Sequence, residues 1–369
     1  MRNLNVLDTP AVVVDEVKLK KNVADMAEFS RSARVALRPH LKSHKTVEIA
    51  LLQLELGASG VTVAKLGEAE EMVKAGIEDV FIANQLFGEQ KSARLTKLLK
   101  MANLTVAADS MEGAAFLASA ARAAGKKIKV LIEINTGLNR CGVLPGDACT
   151  TLVKKLMQVP ELDFKGIFTH AGHVYGSASE EEVKRIARQE GEVMVQLARG
   201  LEGAGIPVEV VSVGSTPTVK VSGKVEGVTE IRPGNYVFYD AIQVGLGVVP
   251  QDRCALSILT RVISKPAGDR IVVDAGSKTF SMDKGAHGKQ IVEGFGIIKD
   301  YPNLRLNRLS EEHGIVEVLS SEKLPETGDT LTIIPNHACP VVNLTDSLTV
   351  ITETQQLKQW PVVARGRVQ

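Results

Sequence analysis

"LTVAADSMEGAAFLASAARAAGKKIKVLIEIN", residues 104–135, reads as strand, helix and strand in succession. "LTVAAD" (104–109) and "KIKVLIEIN" (127–135) are short β-branched and apolar runs. The stretch between them, "SMEGAAFLASAARAAG", ends in Gly125, which suits the position just past a helix C-terminus. Two strands joined through a helix make a parallel crossover unit.

The same alternation extends in both directions. Strands are predicted at "PAVVVD" (10–15), "ARVALRPHLK" (33–42), "GVTVAK" (60–65) and "DVFIAN" (79–84), then at "FKGIFTHAG" (164–172) and "VEVVSVG" (208–214). Helix signatures lie between most of them. The longest, "SEEEVKRIARQEGEVMVQLARGLEGAG", opens with Ser179 before three glutamates, a good N-terminal signal. About eight β/α units over this span point to a (β/α)8 TIM barrel. A doubly wound open sheet gives the same alternation, but no GxGxxG follows the first strand. After about residue 245 the strand-like runs follow one another without long helices: "ALSILTRVIS", "DRIVVDAG", "GIVEVLS", "DTLTIIP", "SLTVITE" and "PVVARGRV". The expectation is an α/β barrel over residues 10–245 and an all-β domain over 246–369, to which residues 1–9 are assigned.

Composition narrows the function. The 369 residues include 44% hydrophobic side chains, enough for a sizeable core, and carry a net charge of +1. Such a balance offers no electrostatic grip on nucleic acid or an anionic membrane. The longest apolar runs are strand-sized, below the roughly 18–20 residues of a membrane span. The opening "MRNLNVLDTPAVVVDE" lacks the apolar core and cleavage site of a signal peptide. None of the four cysteines, Cys141, Cys149, Cys254 and Cys339, forms a CxxC pair. Reduced thiols and a cytoplasmic location are expected.

Five stretches carry candidate chemistry. In "RPHLKSHKT" (38–46), His40, Lys42 and His44 alternate, so on a strand they share one face. Lys42 falls near the C-terminal end of its strand, the catalytic rim of a barrel. A lysine among cations and apolar walls has its pKa pushed down and becomes a better nucleophile; a solvated turn reads equally well. "EINTGLNRCGV" (133–143) presents Arg140 after a strand, aimed at an anion or simply exposed. "THAGHVYG" (169–176) supplies His170, His173 and Tyr175, as site groups or as hydrogen-bonded core residues. "VSVGSTPT" (211–218) and "RPGNYVFYD" (232–240) are small-residue loops of the kind that cradle a phosphate, and also ordinary turns. In "IPNHACPVVN" (334–343), His337 and Cys339 stand two apart at the end of a β-run. Imidazole plus thiolate suits zinc; a buried thiol beside an unrelated histidine is the alternative.

Together and in this order, these stretches resemble the fold-type III pyridoxal-phosphate enzymes, the alanine racemase-like barrel in its D-threonine aldolase / D-serine dehydratase branch. The resemblance runs from "DTPAVVVD" to "PVVARGRV" and includes "SEEHG" (310–314), where it assigns His313 no mechanism. It implies that Lys42, in preference to Lys45, carries pyridoxal phosphate. It places Arg140 at the cofactor's phenolate oxygen, Tyr175 beside the cofactor, and Ser215, Thr216, Gly234 and Asn235 around its phosphate. Arg232 matches the racemase arginine that faces the pyridine nitrogen. His337 and Cys339 match the metal pair. Dehydratases of this branch look like His-x-Cys and aldolases usually like His-x-Asp, so His337-Ala338-Cys339 leans towards β-elimination from a D-3-hydroxy amino acid. A thiolate favours Zn2+, where a carboxylate would better suit Mn2+ or Mg2+. In the alternative, retro-aldol cleavage to glycine and an aldehyde, His170 or His173 is the base. A racemase, or a non-catalytic pyridoxal-phosphate carrier, comes third. The resemblance also implies a homodimer.

Overall fold

The computed structural model describes residues 6–285 and 291–369. Residues 1–5, assigned above to the all-β domain, lie outside the described residues. The first nine strands are β1 (Ala11–Asp15), β2 (Ala36–Leu37), β3 (Val61–Val63), β4 (Asp79–Ile82), β5 (Asn103–Ala108), β6 (Ile128–Ile134), β7 (Leu162–Thr169), β8 (Val210–Val213) and β9 (Glu230–Ile231). β2 to β9 form one parallel sheet in the order β2-β9-β8-β7-β6-β5-β4-β3. A parallel bridge between His40, just past β2, and Thr62 of β3 joins the two ends of that order. The expected (β/α)8 barrel is therefore present. β6 is buried along almost its whole length, as a strand covered on both faces must be.

The stretch that suggested the fold does what its residues imply. Ser110 caps the helix Met111–Ala124 by accepting from Gly113 N at 3.1 Å. Gly125 ends it in the left-handed region at φ +68°. Ser179 likewise accepts from Glu182 N at 3.2 Å and opens the helix Glu180–Gly203. Phe81, Ala107, Leu131 and Phe168 contribute one apolar cluster from β4, β5, β6 and β7. The Phe81 and Phe168 rings meet edge to face with centroids 5.0 Å apart.

Two strand assignments differ from the sequence reading. "PAVVVD" is a strand but not the first of the barrel: β1 pairs antiparallel with β10 (Leu256–Ala267), Ala11 opposite Leu259, and parallel with β16 (Ser347–Ile351). Its buried pattern satisfies either sheet, and only long-range pairing decides between them. The barrel's eighth strand is instead β9, two residues long and without a readable period.

The remaining strands are β11 (Arg270–Val273), β12 (Gly296–Ile298), β13 (Leu304–Leu309), β14 (Gly314–Val318), β15 (Thr330–Pro335) and β17 (Leu357–Pro361). With β1, β10 and β16 they build a mostly antiparallel nine-stranded sheet, β13-β14-β11-β10-β1-β16-β17, with β15 pairing β10 and β12. "PVVARGRV" contributes only Pro361 to a strand. By internal packing the chain divides into a β-rich unit (1–24, 43–48 and 235–366) and a barrel unit (25–42, 49–234 and 367–369). No helix among the described residues is long and apolar enough to cross a membrane.

Candidate active site

"HLKSHK" is not a strand. Pro39 has no N–H to give a ladder, and β2 stops at Leu37. The chain then turns through a 3-10 segment, Leu41–Ser43. His40, Lys42 and His44 therefore do not share a strand face, contrary to the sequence reading. His44 is fully buried, its Nδ1 accepting from Thr46 N at 3.2 Å. Lys45, at φ +54°, donates from Nζ to Asn343 Oδ1 at 2.8 Å. Lys42 is partly buried just past the C-terminal end of β2.

Within the barrel unit, Lys42, Arg232, His170 and Arg140 all act on His40. Burial, then these four neighbours, hold the His40 imidazole well below its ordinary pKa. His40, which the sequence reading placed beside Lys42 on one strand face, is thus influenced by four residues which that reading named separately. Arg232 is buried and donates to Ser212 Oγ and to the Thr169 carbonyl, with its guanidinium carbon 5.1 Å from the Phe168 ring centroid. Ser212 Oγ in turn donates to Glu230 Oε1 at 2.6 Å, and Arg38 Nε to Glu230 Oε2 at 2.7 Å. A connected network of this kind fixes the Arg232 side chain.

Arg140 follows β6 with a half-exposed side chain, its Nη2 3.8 Å from Glu133 Oε1. Asp109, Glu133 and Cys141 bring one potential ligand atom each within 4.8 Å of one another. Gln85 Nε2 donates to Glu133 and Gly142 N to Asp109, so both carboxylates are already engaged. His173 and Tyr175 lie on the 3-10 segment Gly172–Gly176. The "NTGLNR" and "HAGHVYG" stretches meet at Gly137, where a Cβ would sit 3.0 Å from His173 Cε1. His173 is partly buried; burial and then Arg185 lower its pKa, so the ring is neutral at neutral pH.

Ser215 and Thr216 are buried in the loop after β8. Ser215 N donates to Thr218 Oγ1 at 3.0 Å, and Gly214 N donates to Glu190 Oε1 at 3.0 Å. Glu190 Oε2 has no hydrogen-bond partner among the described residues, and burial raises this carboxyl's pKa. Gly234 ends the barrel unit's share of the next loop.

Asn235, His337 and Cys339 belong to the β-rich unit. β15 ends at Pro335. His337 is the extended residue that precedes the helix Ala338–Leu344, and Cys339 lies in that helix's first turn. The pair thus sits on a strand-to-helix corner and not on one strand face as expected from the sequence. His337 Nδ1 is 2.9 Å from Asp283 Oδ2, and Cys339 Sγ is 3.2 Å from Ser43 Oγ. Burial alone would lower the His337 imidazole; Cys339, Asp283 and Asp240 outweigh it and raise it to about 10. Asn235 Nδ2 donates to Asp240 Oδ2 at 2.6 Å, while Asn235 Oδ1 is buried without a partner among the described residues.

Sequence reasoning missed Ser43, Glu190, Asp240 and Asp283. A signal existed for Glu190: Val183, Ile186, Ala187, Glu190, Gly191 and Met194 are the buried stripe of one helix, with a carboxylate on its apolar face. Asp240 reads in sequence only as a helix cap.

A family model described as "Alanine racemase, N-terminal domain" matches residues 14–241, and one described as "Putative serine dehydratase domain" matches residues 255–351. The chain is 32% identical to D-threonine aldolase of Arthrobacter sp over 98% of this chain and 93% of the relative. It is 35% identical to D-threo-3-hydroxyaspartate dehydratase of Delftia sp. (strain HT23), over 90% of this chain and 91% of the relative. The crystal structure of D-threonine aldolase from Filomicrobium marinum superposes with a TM-score of 0.92 at 35% identity, covering 99% of this chain and 98% of that one. The Delftia dehydratase superposes with a TM-score of 0.89 at 33% identity, covering 98% and 99%. That dehydratase has also been solved as a cysteine-to-alanine variant in the metal-free form and as a histidine-to-alanine variant two positions earlier. Covered end to end by these matches, the chain belongs to the alanine racemase-like family of pyridoxal-phosphate enzymes.

Proposed function

We propose that this protein is a metal-dependent dehydratase of D-3-hydroxy amino acids, with Lys42 as its cofactor lysine and His337 and Cys339 as its metal pair. It is a pyridoxal-phosphate-dependent lyase, and its relatives act on D-threonine, D-serine and 3-hydroxyaspartate. Elimination is favoured over retro-aldol cleavage by one observation: the second donor of the pair is a thiol, spaced from its histidine as in the Delftia dehydratase variants.

The residues fit both groups. Lys42, Arg140 and Arg232, all close enough to bear on His40, bring positive charge that an anionic cofactor would offset. The Asp283 bond to His337 Nδ1 orients the imidazole so that Nε2 serves as the donor. Imidazole with thiolate is a zinc-type donor set, and two protein ligands leave positions for water and substrate. When bound, pyridoxal phosphate supplies an electron sink for charge developing at the substrate Cα, and zinc a Lewis acid for the β-hydroxyl.

The chain supplies the rest. Lys42 holds the cofactor and then takes the α-proton of a D-substrate. Ser215, Thr216, Gly234 and Asn235 would hold the phosphate. The Asn235 amide donates to Asp240 Oδ2 and also reaches Cys339 Sγ at 4.0 Å, which leaves its backbone N–H as the group that would serve the phosphate. Arg232, held by Ser212 and the Thr169 carbonyl, would serve the ring nitrogen as an immobile cation, and Arg140 the phenolate oxygen. Tyr175 lines the cofactor. The α-proton and the β-hydroxyl would depart as one water, and the released enamine would take one water back to give a 2-oxo acid and ammonia.

A second reading keeps the same residues. His173, neutral and partly buried, is suited to take the β-hydroxyl proton in a retro-aldol cleavage, and His170, just past the end of β7, is the other candidate. Incubating the metal-loaded holoenzyme with D-serine, D-threonine and D-threo-3-hydroxyaspartate, and measuring ammonia and glycine together, separates the two. Ammonia without glycine is expected. Glycine without ammonia would assign the protein to the aldolases.

A further inference from the structure

Asp240 is wholly buried, and none of the roles above falls to it. A carboxylate withdrawn from water is costly unless donors surround it. Asp240 has three, from three parts of the β-rich unit. Its Oδ1 accepts from Gln243 N at 3.1 Å, which caps the helix Ala241–Gly245. Its Oδ2 accepts from Ala338 N at 2.9 Å and from Asn235 Nδ2 at 2.6 Å. An N-cap aspartate ordinarily serves its own helix alone. Here the second oxygen reaches two other places.

Those two places matter to the reading above. Ala338 is the residue between His337 and Cys339, so its N–H fixes the backbone that spaces the two donors. Asn235 opens the turn that follows Gly234. Oδ2 is thus one anchor for the metal corner and for the phosphate turn. A shift of either segment must move or break a bond to the same atom. Burial raises the Asp240 carboxyl, while His337, the two backbone amides and Asn235 pull it back down.

We propose that Asp240 is a positioning residue that ties the metal pair to the cofactor-phosphate turn, so that each group is held more tightly when the other is bound. This rests on the assignment of His337 and Cys339 to a metal and of Asn235 to the phosphate. The reciprocity follows from linkage: if zinc strengthens cofactor retention, the cofactor strengthens zinc binding by the same factor.

The test is Asp240→Asn. Its amide nitrogen must oppose either Gln243 N or the pair Ala338 N and Asn235 Nδ2, placing donor against donor. Zinc affinity of the holoenzyme is measured by competition with a chromogenic chelator, and cofactor loss by absorbance, with and without zinc. In the wild type, removing zinc should speed cofactor loss. In Asp240→Asn, zinc affinity should fall by about ten- to a hundredfold, as for other residues that orient metal ligands, and cofactor loss should no longer respond to zinc. A folded Asp240→Asn with unchanged zinc affinity overturns the proposal, as does a wild type whose cofactor loss ignores zinc. If Asp240→Asn does not fold, Asp240→Ser keeps a cap for Gln243 N, removes the Oδ2 arm and leaves the 4.0 Å contact of Asn235 Nδ2 with Cys339 Sγ in place; zinc affinity should then become independent of cofactor loading, and persisting dependence overturns the proposal. A wild type that binds neither zinc nor pyridoxal phosphate would instead overturn the functional assignment itself.

Discussion

The Cys339 sulfur lies 3.2 Å from the Ser43 hydroxyl, and Ser43 follows Lys42 directly in the chain. The proposed metal thiolate is therefore hydrogen-bonded to the neighbour of the proposed cofactor lysine. Here the Cys339 thiol donates to the buried Ser43 hydroxyl; once a metal ionises the sulfur, the same hydroxyl would donate to it, stabilising its charge and fixing its direction. Ser43→Ala should weaken zinc binding by about tenfold. It should leave the absorbance of the Lys42-linked cofactor in place, because Lys42 itself is untouched. Zinc titration beside an absorbance spectrum checks both halves; loss of the cofactor band with zinc affinity intact would reverse the assignment.

Lys42 and Lys45 make opposite predictions. Lys45 Nζ is bound to Asn343 Oδ1, and its carbonyl accepts from Ala364 N at 3.2 Å. Asn343 Oδ1 also accepts from Gly366 N, so it keeps a partner when Lys45 is shortened. Lys45→Ala should cost about 1 kcal/mol of stability and retain cofactor and turnover. Lys42→Ala should fold but lose covalent cofactor and turnover, and its melting temperature should match that of the wild type stripped of cofactor. Reduction with borohydride, digestion and mass mapping of the modified lysine decide between them.

Exchanging the thiol for a carboxylate tests reaction type. Cys339→Asp keeps a metal donor at the same corner but replaces a soft one with a hard one, and the preferred ion moves from zinc towards manganese or magnesium. The ratio of glycine to ammonia should rise. An unchanged ratio in a metal-loaded variant would mean that the pair does not steer the chemistry.

How much of this was legible depended on the range of the forces involved. β3 to β8 fall within a few residues of the runs read from sequence, because strand and helix periods are local. The sheet to which β1 belongs is not readable locally, because "AVVVD" is apolar in either setting, and Leu259 opposite Ala11 and Thr349 opposite Val13 lie hundreds of residues away. β9 was invisible at two residues. At the site, side chains with unusual chemistry could be named in advance, but the turn at Pro39 that separates Lys42 from His44 could not be read from an alternating pattern. The supporting carboxylates were hidden differently. Glu190, Asp240 and Asp283 look like surface helix, cap and loop residues, and acquire meaning only from Gly214, Ala338 and His337, each remote in sequence.

Glu190 gives the pH test. Burial raises its carboxyl, opposed by Gly214 N, Thr218, Arg232 and Ser222. Between the ordinary glutamate pKa of about 4.3 and the raised folded value, the folded protein binds more protons than the unfolded chain. Stability contributed by this group therefore falls as pH rises through that window. Glu190→Gln keeps an oxygen for Gly214 N and does not titrate. The melting temperature of Glu190→Gln relative to wild type should be lowest below about pH 4, climb as pH rises, and level off above the folded pKa. Each unit by which the folded pKa exceeds the unfolded one adds about 1.4 kcal/mol to that difference. Other titrating groups, His40 among them, are common to both proteins and cancel. Melts of the two holoenzymes across the range check it; a difference that stays constant with pH would mean that this carboxyl titrates alike in the folded and unfolded chains, and that its acceptor role at Gly214 is its whole contribution.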